Sequence, residues 1–565
     1  MNKLYSKTTS NNNENDFSIS RKKTDLNIEF NRVAFIFFIF FSIYLIYSIH
    51  LLYLGSQSSK VTNKNFSGSI NSLHRSTIID INGNYLAKTV SSTDIGISPN
   101  EVINKEKLLL NLKYIFPNKN FNQIERKLKK KKFFWIEKRV SDENYEQLMK
   151  LGDKSIIAEK KIIRIYPQKN LFSHIIGQID SDNNGISGLE KSQNEILTKS
   201  KIPIQLTLDS DLQFLIRKEL LKFNTTFQTK GSGAVLMDIN NGEVLSLISL
   251  PDFDPNQRET IVDKNFINRI TKGVYELGSV FKTFTLAAAL DSNIIETDTK
   301  FLNLEKSLNC GKNVIREYDN KIPKDLTAEE ILIRSGNIGS VRIGQKIGIE
   351  KFKLFLTKIN VINEIKFDIE EVGIPIPFKW GKCKLATTSF GHGITTTPLQ
   401  LAKGYAIITN GGFDIDPTII KNKKEKMIKY KKRLIRKDVS EKINPILRKI
   451  VTTKEGTASL ANISGYEVAG KTGTAEKIIS GNYSPNKKIN TFVSIFPISK
   501  PKYVLVVILD EPKMNKEYIY NYRDGSGFKL KGTPRNTSGW TSVEVAGHII
   551  EKIGPILATK YLEIN

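Results

Sequence analysis

Residues 33–54 form a stretch of 22 amino acids without a formal charge, and within it Phe35-Ile36-Phe37-Phe38-Ile39-Phe40-Phe41 is wholly apolar. As a helix it is about 33 Å long, enough to cross a hydrocarbon core of about 30 Å. A cleaved signal peptide would carry an apolar stretch of roughly 7–15 residues and then a small-residue cleavage site. This stretch is longer, and Leu54-Gly55-Ser56-Gln57 is a poor cleavage site. The reading is one retained transmembrane anchor. Four basic residues lie shortly before it (Arg21, Lys22, Lys23, Arg32) and two shortly after (Lys60, Lys64). That asymmetry puts the polar, disordered tail 1–32 in the cytoplasm and everything after Gly55 outside.

The chain as a whole has 565 residues, 39% hydrophobic and 25% charged, which excludes wholesale disorder and a polytopic membrane protein. Lys+Arg number 85 against Asp+Glu 58, a formal net charge of +27. Such a surface suits an anionic partner, a membrane surface or a cell-wall polymer. Nucleic acid drops out, because the basic surface faces the outer compartment. Most of these charges read as a solvated Lys-rich surface. The run Arg126, Lys127, Lys129, Lys130, Lys131, Lys132 reads as the end of a solvated helix, and residues 421–432 as a surface loop. Cys310 and Cys383 are the only cysteines, and the five His are scattered singly, so neither a disulfide scaffold nor a zinc cluster is indicated. The compartment permits a Cys310–Cys383 bond, but their proximity stays open.

Residues 55–204 mix short strands such as Thr77-Ile78-Ile79-Asp80-Ile81 with turn signals such as Asn82-Gly83, giving a mixed α/β segment. The character changes near residue 205. Residues 233–250 predict a hairpin turning at Asn240-Asn241-Gly242. Residues 280–290 are apolar and Ala-rich, a buried helix. Residues 503–509 are nearly all apolar, a central strand. Strands at both ends with helices between predict one large α/β domain over 205–555, followed by a tail at 556–565.

Three short motifs carry the chemistry. In Ser279-Val280-Phe281-Lys282 the Ser and Lys share a helix face. The Lys can take the hydroxyl proton if burial keeps its amine neutral. The same spacing occurs at Ser20/Lys23, Ser484/Lys487, Ser499/Lys502 and Ser526/Lys529, but only Ser279 heads an apolar helix, after Gly278, which permits a tight entry turn. A Ser there also has free backbone N–H groups nearby to hold an oxyanion. In Ser335-Gly336-Asn337 the Ser can relay a proton to a leaving amine and the Asn can hydrogen-bond an amide. Lys471-Thr472-Gly473-Thr474 is the single Lys-Thr-Gly in the chain. On a strand, Lys471 and Gly473 share one face, Thr472 and Thr474 the other. Lys471 supplies positive charge, Gly473 leaves room for a substrate backbone, and an edge strand binds that backbone by strand addition.

The motifs come in this order, separated by 56 and 136 residues. Together they resemble the set of the penicillin-recognising serine enzymes. Further stretches are similar: Thr207-Leu208-Asp209-Ser210-Asp211-Leu212-Gln213, Ser389-Phe390-Gly391-His392-Gly393-Ile394 with Thr397-Pro398-Leu399-Gln400-Leu401-Ala402, and, in the earlier segment, residues 75–83, Arg164-Ile165-Tyr166-Pro167, and His174 with residues 185–190. Over nearly its whole length the chain resembles a class B penicillin-binding protein, and residues 389–402 resemble the division-specific type, often called FtsI. The resemblance implies an α/β (α+β) penicillin-binding transpeptidase fold, an antiparallel sheet flanked by helices with a helical subdomain. It is preceded by the anchor helix and a mixed α/β pedestal of the dimerisation type. Two stretches depart from the pattern: residues 540–546 replace an Ala-Ala-Pro run, and Leu171-Phe172-Ser173-His174 stands where smaller residues are usual.

The implied reaction is cross-linking of peptidoglycan stem peptides at D-Ala-D-Ala in a bacterial cell envelope, in septal wall synthesis, with β-lactams as covalent inhibitors. Ser279 is the implied nucleophile and Lys282 its base. Ser335, held by Lys282 and Lys471, passes the proton to the departing D-Ala. Asn337 orients the substrate amide, Thr472 and Thr474 receive the terminal carboxylate, and the N–H groups of Ser279 and Thr474 form the oxyanion hole. No metal or organic cofactor is implied. The implied location is the inner membrane, single-pass, with the catalytic domain in the periplasm at the septum. A membrane-embedded glycan polymerase and other division proteins are the implied partners. His392, flanked by glycines, reads as structural. The rivals are an elongation-type enzyme, a penicillin sensor, which would need a multi-span part, a non-catalytic division scaffold, which would need none of the motifs, and a β-lactamase. The last needs a water-activating Glu, for which Glu370 and Glu371 are the residues in range.

Overall fold

The structure, a computed structural model, describes residues 34–53, 75–257, 267–311, 313–421, 432–479 and 481–561. The expectations for the tail 1–32 and for the interior of 421–432 lie outside the described residues. Ala34–Tyr53 is one helix, and among the described residues it alone is long and apolar enough to cross a membrane. Residues 74–565 form a separate compact unit.

That unit opens with β1 (Ile78–Ile79) and β2 (Tyr85–Ile97), joined by the Asn82-Gly83 turn. The Asp80 carboxylate closes the turn by accepting from the N–H groups of Asn82 and Asn84 at 2.9 and 2.8 Å. The long β2 pairs antiparallel with β3 (Phe134–Val140) and β4 (Ile156–Ile165), while β5 (Ile204–Gln205) runs parallel to β1. The pedestal sheet therefore ends across the 204/205 boundary drawn from sequence. An outer lobe has its own small core around Ile95, Leu108, Leu112 and Leu148. The basic run sits at the solvent-facing end of helix Phe121–Lys129. At the inner end Glu190 is buried between two arginines. Its Oε2 accepts from Arg75 Nε at 2.6 Å and its Oε1 from Arg164 Nε at 2.8 Å. Arg75 Nη1 also donates to Asn194 Oδ1 at 2.8 Å.

The larger domain is built on a five-stranded antiparallel sheet. Its strands are β6 (Gly231–Asp238), β7 (Val244–Leu250), β12 (Ala469–Ile479), β13 (Asn482–Phe496) and β14 (Tyr503–Asp510), in the order β12-β13-β14-β6-β7. Every residue of β6, β7 and β14 is buried, so both sheet faces are covered. Helices Ser210–Thr226 and Ser542–Lys560 pack on each other and on the sheet, and the apolar helix Pro398–Thr409 packs on β14 and β6. The last helix corrects the tail placed at 556–565, since it continues to Lys560. Ile553 and Leu557 are buried, and Lys560 and Tyr561 bond Asp209 at 3.3 and 2.7 Å, which holds the end down.

Between β7 and β12 lies the helical subdomain. Two short strand pairs decorate it: β8 (Lys300–Phe301) with β11 (Leu326–Thr327), and β9 (Ser307–Cys310) with β10 (Asn313–Arg316). A Cys310–Cys383 disulfide ties the β9–β10 hairpin to helix Lys382–Thr388.

Candidate active site

Gly278–Val280 is a single 3₁₀ turn that runs into helix Phe281–Asp291. Residues three apart superpose in such a turn, which sets Lys282 on the side of Ser279. Val280, Phe281 and Phe284 are buried, so the apolar sequence after Ser279 anchors the helix and leaves Ser279 at the surface of a cleft. That cleft has a volume of about 1280 Å³ and is also lined by Ser335, Asn337, Thr472 and Thr474.

Ser335 arrives from another direction. Helix Ala328–Ile333 starts at a Thr327–Glu330 capping box and ends with Ser335 N–H donating to Leu332 O and Gly336 N–H to Ile331 O, at 3.2 and 2.9 Å. This is a Schellman-type stop, whose left-handed position usually holds glycine. Here it holds Ser335, with φ +58°. The conformation costs a non-glycine residue about 1–2 kcal/mol, and what the site gains is a hydroxyl at that point.

Two buried lysines converge on it. Lys471, on the edge strand β12, donates from Nζ to Ser335 Oγ at 2.8 Å and to Thr472 O at 3.1 Å. Lys282 Nζ donates to Ser335 O, to Ser335 Oγ at 3.2 Å and to Asn337 Oδ1 at 2.7 Å. Burial pushes the Lys282 amine down to about 7, partly opposed by the Glu317 carboxylate. Lys471 is held well below its ordinary value by burial and, second, by the charge of Lys282. Near neutral pH, then, Lys282 is available in its neutral form.

Close backbone approach joins the first and third motifs. Gly278 has φ +65°, and a Cβ there would lie 2.6 Å from Thr474 O. A Cβ on Gly473 would lie 2.1 Å from Leu277 O. The space beside Gly473 is therefore taken by the turn at residues 277–279, not left for substrate as the strand pattern suggested. This approach brings the stretches carrying the N–H groups of Ser279 and Thr474 together. On the other face Thr472 Oγ1 meets Thr457 Oγ1 at 2.7 Å, and Thr474 Oγ1 accepts from Ser538 N–H at 3.0 Å.

His392 lines the cleft wall. It stacks on Phe390 and Tyr483, with centroids 5.8 and 4.4 Å away, and its Nδ1 lies 3.6 Å from Glu276 Oε2. Glu370 and Glu371 lie elsewhere: Glu370 pairs with Lys191 at 2.8 Å, and Glu371 Oε1 accepts from Gly188 N–H at 2.8 Å. Both face the pedestal. Sequence reasoning missed Glu317, because it belongs to no motif and reaches the site through the β9–β10 hairpin.

A serine heading a buried helix, in one cleft with a second hydroxyl that two buried amines share and flanked by an edge strand, is the arrangement of a serine acyl-transfer site. The comparisons agree. Residues 232–524 match the penicillin-binding protein transpeptidase domain, and residues 71–211 the penicillin-binding protein dimerisation domain. The chain belongs to the penicillin-binding protein transpeptidase family. It is 27% identical, over 86% of its length and 82% of the relative's, to the probable peptidoglycan D,D-transpeptidase FtsI of Caulobacter vibrioides. It is 29% identical, over 79% and 83%, to the peptidoglycan D,D-transpeptidase FtsI of Buchnera aphidicola. It is also 29% identical, over 78% and 74%, to the stage V sporulation protein D of Bacillus subtilis. Among solved structures it shares its fold with penicillin-binding protein 3 of Mycobacterium tuberculosis, crystallised with aztreonam. The TM-score is 0.64 at 21% identity, covering 85% of this chain and 96% of that one.

Proposed function

We propose that the chain is a class B, division-type peptidoglycan D,D-transpeptidase that works through an acyl-enzyme on Ser279. The observation that carries this reading is the Ser335 hydroxyl held at 2.8 and 3.2 Å by two buried amines beside the Ser279 turn.

The neutral Lys282 amine takes the Ser279 proton as Oγ attacks the carbonyl carbon of the penultimate D-Ala. The oxyanion is held by the N–H groups of Ser279 and Thr474. As the C–N bond breaks, Ser335 hands a proton to the departing D-Ala amine and is resupplied from the lysine pair. Asn337 orients the donor peptide's amide, and Thr472 and Thr474 receive its terminal carboxylate, whose arriving charge favours the ammonium form of Lys471. The amine of a neighbouring stem peptide then attacks the ester, forms the new amide and restores Ser279. A β-lactam acylates Ser279 in the same way, and its retained ring blocks the second attack.

The helix Ala34–Tyr53 serves as a single-pass inner-membrane anchor, with the catalytic domain periplasmic and the enzyme gathering at the septum beside a membrane-embedded glycan polymerase and other division proteins. The charge asymmetry around the helix and the relatives' names support this. Labelling with a fluorescent penicillin tests the reaction: Ser279→Ala must abolish labelling in folded protein, and labelling that moves to another serine would overturn it. Depletion tests the role: filaments with unfinished septa are expected, and rounded cells with dispersed signal would indicate elongation.

A further inference from the structure

Helix Asn337–Ile347 carries Asn337 into the site, yet its N-cap residue is Gly336, which has no side chain to satisfy the first-turn N–H groups. A residue 20 positions earlier does so. Glu317 follows β10, and its Oε2 accepts from Asn337 N–H at 2.7 Å while its Oε1 accepts from Ile338 N–H at 2.8 Å. The same segment grips the Asn337 side chain, whose Nδ2 donates to Arg316 O at 2.8 Å. Asn337 Oδ1 in turn accepts from Lys282. The carboxylate is thus one residue removed from the base, and it also faces the positive end of the helix.

A cap for stability alone needs only a neutral Ser, Thr or Asn at position 336. Using a remote carboxylate does something a local neutral cap would not: it sets a negative charge one residue from the buried Lys282 amine. We propose that Glu317 is a positioning residue for acyl transfer, fixing the Asn337-Ile338 turn through both carboxylate oxygens and supplying the negative charge that the Lys282–Ser335–Lys471 cluster itself lacks. The proposal rests on the acyl-transfer reading above and assigns a residue outside all three motifs.

The charge has a readable sign. Glu317 favours the ammonium form of Lys282, whereas burial disfavours it. Glu317 acts on Lys282 and on its neighbour Tyr318, whose surroundings also hold Asp319 on the same segment and Arg334 and Arg535 from neighbouring ones. All of these are unchanged in Glu317→Gln. Removing the carboxylate lets Lys282 lose its proton at lower pH, so the acidic limb of acylation moves down.

The test is the rate of acylation by a fluorescent penicillin across pH 5–9, with the thermal midpoint of each variant recorded. Glu317→Gln is expected to move the acidic limb down by roughly half a unit or more and to lower the plateau about tenfold through a loosened Asn337. Glu317→Asp keeps the charge but is too short to hold both N–H groups, so its limb stays in place while its plateau falls. A folded Glu317→Gln with an unmoved limb overturns the proposal. If that variant does not fold, an unchanged plateau in Glu317→Asp overturns it instead. Ser279→Ala, run alongside, separates the two claims: if it still labels, the acyl-transfer reading fails, whereas loss of labelling there with wild-type behaviour in both Glu317 variants sinks only the role of Glu317.

Discussion

The chain buries charge in two places and treats it in opposite ways. In the pedestal, Arg75 and Arg164 meet at Glu190, with all three side chains fully buried and both carboxylate oxygens used. In the catalytic domain, Lys282 and Lys471 are equally buried, but they share a neutral hydroxyl, and the opposing charge acting on Lys282 is Glu317, one residue away. The first arrangement keeps its charges by pairing them. The second leaves two amines without a direct anion, and a buried, unpaired ammonium gives up its proton. Pairing holds the charges of the first; withholding a partner lowers the proton affinity of the second.

The largest test of this contrast is chemical. Lys282→Ala should leave the protein folded and lower penicillin acylation by about 10²–10⁴-fold, since an unactivated hydroxyl is a weak nucleophile. Acylation at the wild-type rate would mean that Lys282 is not the base. In the pedestal the corresponding change is structural. Glu190→Gln leaves two guanidinium groups buried without an anion and should cost about 3–5 kcal/mol in denaturant unfolding, while the folded fraction still labels at Ser279. A smaller loss, about 2–4 kcal/mol, is expected from Cys310→Ser with Cys383→Ser. That pair of changes unties the β9–β10 hairpin from helix Lys382–Thr388, and a melt under oxidising and reducing conditions reads it.

A finer prediction concerns pH and stability. Lys282 titrates at about 7 when folded, against an ordinary 10.5, so the unfolded chain binds more protons between those values. Stability rises with pH across that window, and the cost of burying the amine is fully present below it. Lys282→Met should therefore raise the thermal midpoint more at pH 6 than at pH 10, a stability gained as activity is lost. A gain independent of pH would mean that Lys282 is not desolvated. The smallest effect belongs to Glu371→Gln. Glu371 faces Gly188 and not the cleft. The adduct on Ser279 should persist just as long in that variant by mass spectrometry, whereas a β-lactamase using Glu371 would lose its turnover.

How far the sequence could be read depended on the range of the interaction. The hairpin of β6 and β7, the helix after Ser279 and the central strand β14 follow from local pattern, because alternation, apolar runs and turn residues act over a few positions. The last helix runs past the domain end drawn at 555 because its hold on Asp209 spans more than 340 residues. Glycine illustrates the same limit. A tight entry turn at Gly278 could be inferred beforehand, but the reason for Gly473 could not, since the group that fills its space is Leu277, almost 200 residues earlier.

By itself, then, the sequence determined which side chains are available and in what order: a Ser and a Lys one turn apart, a second Ser with an Asn, a Lys on a strand, and an apolar helix ahead of them. Only the tertiary structure decided what those groups are. It closed gaps of 53 and 136 residues so that two lysines meet one hydroxyl. It sent Glu371 to the pedestal and Glu317 to the active-site helix, and it joined Cys310 to Cys383. The physical reason is that an amine's proton affinity depends on the water it has lost and the charges it faces. Both come from packing between segments distant along the chain, which no local pattern of residues encodes.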